Sequence, residues 1–123
     1  MTTDTIDLKS RLSQFTGTTT YFYHPLYPWM RYTDGMKFFC ENAGNGAYWF
    51  LDIMGTELKK HAAKHRRLNI HMSVGGGGEG RIEATPEGRV RPIWTKFIPW
   101  TDCPSDFYEF RLTHGVLYLP SED

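Results

Sequence analysis

Cysteine, histidine and carboxylate side chains are the groups with which a small protein attacks, moves protons or holds a metal, and in this chain they are scattered. Cys40 pairs on paper with His24 or with Asp34 as an activated nucleophile, but it follows Phe38-Phe39 on an expected short helix, the setting of a packed thiol. His61 and His65 stand four apart, a spacing that lets two imidazoles on one helix share a metal. Two ligands do not complete a site. The neighbouring lysines repel a cation, no HExxH is present, and His71 or Asp52 would have to converge as a third ligand. Asp52 and Glu57 lack the flanking pattern of a glycosidase or nuclease. Gly75 to Gly78 lead into Glu79-Gly80-Arg81, whereas a phosphate loop needs a Lys and a Ser or Thr opening a helix. A hairpin turn is expected there, with mobility that suits induced fit. The chain therefore reads as a non-enzyme with no catalytic residue, no metal and no cofactor.

The remaining residue types suit binding. From Tyr21 to Met54 aromatics recur at core density, interrupted by Pro25, Pro28, Gly35, Gly44 and Gly46. Within this stretch Trp29, Arg31 and Tyr32 lie on a loop stiffened by two prolines, and Trp, Tyr and Arg are the residues that interface hot spots favour. They are expected to be partly exposed and to anchor a partner; a loop folded back as a lid over the core is the competing reading. Trp49 heads a helical stripe through Ile53, Thr56, Lys60, Lys64 and Arg67, opposite Leu51, Met54 and Leu58. The stripe's lower half, flanked by Lys59 and Arg66, is a basic ridge that suits phosphates. A solvated helix face with cations near its C-terminus competes with that reading.

Fourteen basic residues balance fourteen acidic ones across 123 residues, so no global field draws the chain to nucleic acid or to a membrane. The length suits one domain, 1–123, able to bury a core without disulfides. Cys40 and Cys103 read as free thiols of a reducing compartment. The polar, acidic N-terminus is unlike a signal peptide. No apolar run approaches a membrane span. A cytoplasmic protein is the expectation.

The elements that must position these groups follow from periodicity. Asp4 or Thr5 caps a short helix carrying Ile6, Leu8, Leu12 and Phe15. Thr18 to Tyr23 reads as a strand, followed by an irregular loop through Trp29. Thr33 caps a second helix to Ala43. Ala47, Phe50, Leu51, Met54, Leu58 and Ala62 make one buried face of a third helix running to about Arg66, in which Gly55 marks a close approach. Leu68, Ile70, Met72 and Val74 then alternate with polar residues, as a half-buried strand does. Ile82 and Ala84 return, Val90 to Ile98 forms an edge strand, and Tyr108 to Leu112 turns at His114-Gly115 into Val116 to Leu119. The sum is an α+β fold: an antiparallel sheet of about four to five strands with two to three helices packed on one face.

Phe15-Thr16-Gly17-Thr18, His24-Pro25-Leu26, Tyr32-Thr33-Asp34-Gly35, Glu41-Asn42-Ala43-Gly44, Ala47-Tyr48-Trp49-Phe50-Leu51-Asp52 and Gly115 to Glu122 span nearly the whole chain. On these residues the sequence resembles a bacterial family of small proteins known only as a domain of unknown function. The resemblance implies a phage, plasmid or similar setting and no active site. The glycine run and the basic Lys59 to Arg67 segment depart from the family's pattern. The expected function is docking on a protein partner, for example an anti-CRISPR-like block of a host defence complex. The alternative is nucleic-acid binding through Lys59, Lys60, Lys64, Arg66 and Arg67.

Overall fold

The computed structural model of the protein describes residues 5–17 and 20–123. Helix α1 (Thr5–Leu12) precedes strands β1 (Tyr21–Tyr23) and β2 (Arg31–Thr33), which bracket the proline loop. Helices α2 (Asp34–Asn42), α3 (Tyr48–Glu57) and α4 (Lys59–Lys64) come next. Strands β3 (Arg67–Val74), β4 (Gly80–Pro86), β5 (Trp94–Ile98), β6 (Asp106–Thr113) and β7 (Val116–Tyr118) lead to a 3-10 turn at Pro120–Glu122. The Asp4 cap and the Thr18-Thr19 start of the expected first strand lie outside the described residues.

All seven strands join one sheet in the order β1-β2-β7-β6-β3-β4-β5, antiparallel except where β2 runs parallel to β7. The mixed α+β class agrees with the sequence, but among the described residues the sheet has seven strands where four to five are expected, and four helices stand where two to three are expected. The strand that periodicity misses is β2. Its three residues pair with Tyr21 to Tyr23 on one side and with Val116 and Leu117 on the other. The pairing with β7 depends on distant chain and leaves no local signature. Thr33 ends this strand and also caps α2, its hydroxyl accepting from the Met36 N–H at 3.3 Å.

The expected third helix breaks at Leu58, whose φ of −98° and ψ of 1° separate α3 from α4. No proline causes this. Leu58 is fully buried, whereas no residue of α4 is, so the chain turns where the core anchor ends and a lysine-rich turn begins.

On β3, Leu68, Ile70, Met72 and Val74 face the core, level with Leu112, Phe110, Tyr108 and Asp106 on β6 and with Pro86, Ala84, Ile82 and Gly80 on β4. The helices cover this layer. Phe39 of α2 and Phe50 of α3 stand 4.9 and 4.6 Å from the Phe110 ring. Glu57 of α3 receives Lys96 of β5 at 2.8 Å, which places that strand's Trp94, Lys96 and Ile98 on the same side. The alternate residues of every strand point to the opposite face.

Candidate functional site

Burial settles the state of the thiols. Cys40 is fully buried, and removal from water pushes its pKa up to about 12, so it carries none of the thiolate a nucleophile needs. Cys103 is pushed to about 11 by the same cause. His24 is occupied elsewhere: its Nδ1 accepts from the Leu26 N–H at 3.1 Å, and its ring stacks on Tyr27 at 4.8 Å. His61 and His65 find no third ligand; among the described residues no three His, Cys, Asp or Glu side chains gather as a metal site.

The proline loop folds back onto α3, as the lid reading describes. Tyr27 and Met30 are buried, and the Tyr27 hydroxyl donates to Asp52 Oδ1 at 2.6 Å. Burial first, and that bond second, hold the Tyr27 phenol well above its ordinary pKa. The indole N–H of Trp29 donates to the Gly55 carbonyl at 2.8 Å, and half-buried Tyr32 faces the helices, stacked on Phe22 at 5.6 Å. Of the three residues singled out on this loop, Arg31 is exposed, and Trp29 and Tyr32 are half-buried. Trp49 packs edge-on against Phe50 and lines a cleft with Ile98 and Trp100.

The basic ridge is divided. Lys59, Lys60 and Lys64 are exposed on α4, but the extended backbone at His65 ends the helix before Arg66 and Arg67. Arg67 opens β3 and pairs with Glu87 at 3.5 Å and Asp123 at 3.4 Å; Arg66 donates to His114 at 3.4 Å. A wheel drawn through Arg67 therefore continues a helix that has stopped.

What the structure adds is the uncovered face of the sheet. Phe107, Ser73, Arg81 and Phe97 lie side by side across β6, β3, β4 and β5. Phe97 is 71 % and Phe107 47 % exposed. His71 stacks on Phe107 at 5.3 Å, and the Arg81 guanidinium lies 5.6 Å from the Phe97 ring centre, a cation–π contact that holds both side chains against the sheet. Arg81 also bonds Glu83 at 3.0 Å. At the same end of the sheet, Trp100 stands 67 % exposed above the glycine hairpin, on the side of the Trp49 cleft. Gly78, at φ +88°, leaves it room; a Cβ there would meet the indole at 2.7 Å. A hollow of about 490 Å³ opens between this hairpin and Phe97. Another, of about 390 Å³, lies between α1 and β6. There Lys9 Nζ reaches the Phe107 carbonyl at 3.1 Å and protects an edge that β7 does not cover.

Sequence reasoning did not single out Phe97, Trp100 or Phe107. One signal was present: Phe107 is out of phase with Tyr108, Phe110 and Leu112, so it must leave the core face.

A model for the family of unknown function DUF6876 matches residues 6–123. The chain belongs to that family. No curated protein and no solved structure matches it. Among the described residues no helix is long and apolar enough to cross a membrane.

Proposed function

We propose that the protein is a non-enzymatic binding protein that docks on a protein partner through the uncovered sheet face at its glycine-hairpin end. One observation carries the reading: Phe97 and Phe107 stand exposed in a single row, each held by a neighbouring side chain. Large aromatics fixed in place lose little entropy on docking and are the residues on which binding energy concentrates. Arg81 and Glu83 supply charges that a partner must match, which favours specificity. The partner surface is thus chiefly apolar at its centre with charges at its rim. Blocking a host defence complex, in the manner of an anti-CRISPR protein encoded by a phage or other mobile element, is the concrete form of this proposal. The small size and the family resemblance support that form.

Replacement of Phe97 and Phe107 by serine tests the proposal. Both lie outside the core, so melting should stay within a few degrees of wild type while retention of the partner falls at least about thirtyfold, as loss of a hot-spot anchor implies. Unchanged retention by a folded double variant would remove this face from the account.

A further inference from the structure

The opposite end of the same uncovered face has a different chemistry. Tyr23, Arg31, Val116, Thr113 and Arg67 form one row across β1, β2, β7, β6 and β3. Around it the fold gathers cations from separate parts of the chain. The Arg31 N–H donates to the Gly115 carbonyl at 2.7 Å, and Arg66 reaches His114 in that same turn at 3.4 Å. The Glu87 N–H donates to the Arg67 carbonyl at 3.1 Å, which brings the loop bearing Arg89 and Arg91 to this end. Arg111 stands opposite Tyr118 on the same face. The acids near this end include Glu87 and Asp123, engaged with Arg67 and Arg111, and Glu122, whose carboxylate accepts from the Thr33 hydroxyl at 2.7 Å. Among the described residues, exposed Arg31, Arg66, Arg89 and Arg91 have no acidic partner within salt-bridge distance. The balanced net charge thus conceals a polarised surface.

We propose that this end binds a single-stranded nucleic acid. The charge complementarity calls for a polyanion, and the row supplies what single strands need beyond charge. Tyr23, 62 % exposed, stands opposite Arg31 on the uncovered face, and Tyr21, 54 % exposed, lies two residues back on β1 opposite Thr33. Exposed rings on an open sheet stack unpaired bases while adjacent arginines hold the phosphates. A duplex keeps its bases stacked internally and cannot use the tyrosines. This inference rests on charge and tyrosine placement and stands whether or not the phenylalanine row docks a protein.

Fluorescence anisotropy with a labelled 12-nucleotide mixed-sequence single strand, in RNA and DNA forms, and with the matching duplex, tests the site. The single strand should bind at 50 mM salt. With four unpaired arginines engaged, affinity should fall about fiftyfold between 50 and 200 mM salt. Arg31→Glu and Arg91→Glu should each weaken binding at least about tenfold, whereas Arg11→Glu, the same charge change on α1, should not. Tyr23→Ala should weaken the single strand and leave the duplex unaffected. Melting temperatures of these surface variants verify folding. The proposal is overturned by no anisotropy change at 50 mM salt up to about 100 μM protein, where non-specific binding alone would register. It is equally overturned by binding indifferent to both reversals, by a duplex bound as tightly as the strand, or by polyglutamate competing as well as the oligonucleotide.

Discussion

Tyr27 and Gly55 touch so closely that the glycine has no room for a β-carbon: one built there would lie 2.7 Å from Tyr27 Cε2. Tyr27 cannot retreat, because it is buried and its hydroxyl is held by Asp52 at 2.6 Å. The contact fixes the proline loop on α3 and leaves Trp29 and Tyr32 partly exposed, as their sequence suggests.

Gly55→Ala should therefore destabilise, although alanine is the better helix former by about 1 kcal/mol. Overpacking a buried site of this kind costs about 1 to 3 kcal/mol, which exceeds that gain. Urea denaturation checks the sign; a more stable variant would show that the loop yields easily.

Leu58→Ala should cost about 2 to 5 kcal/mol, since Leu58 is fully buried at the break between α3 and α4. Exposed Lys60→Ala, two residues further on in α4, should change stability by less than about 0.5 kcal/mol. Denaturant midpoints of the two variants, compared with wild type, provide the measurement.

Alkaline pH should weaken the fold through Cys40. The thiol titrates near 9.0 when unfolded and near 12 when folded, so the folded state favours the protonated form. That contribution is complete below about pH 9 and is lost as pH rises towards 12. Tyr27, shifted in the same direction, adds to the loss. Denaturation at pH 8 and pH 10.5 should show wild type losing more stability than Cys40→Ala. At pH 8 a thiol reagent should label Cys40 and Cys103 only as fast as the chain opens.

Local rules made much of the fold legible. Apolar spacing marked α3 through Leu51, Met54 and Leu58, alternation marked β3, and Thr33 announced the start of α2. Gly55 signalled a close approach, though not that Tyr27 makes it. Long-range pairing was what local rules missed. Arg31 to Thr33 is a strand through its pairing with β1 and with β7, which arrives from the far end of the chain, and the row Phe107, Ser73, Arg81, Phe97 exists only once four strands are in register. The basic residues do not form one helical stripe for a related reason. Their wheel assumed continuous helix through Arg67, while burial of Leu68 draws the chain into the sheet.

Docking through the phenylalanine row is tested most directly by placing a photocrosslinking phenylalanine analogue at Phe97, and separately at Leu26, in the protein's native cells. Leu26 is 83 % exposed and lies on the proline loop, so it reports what any accessible side chain meets. Position 97 should give a discrete crosslinked product with one protein, absent at position 26 and lost when Phe107 is also replaced by serine. The same products at both positions, or none at position 97, would contradict docking through this face.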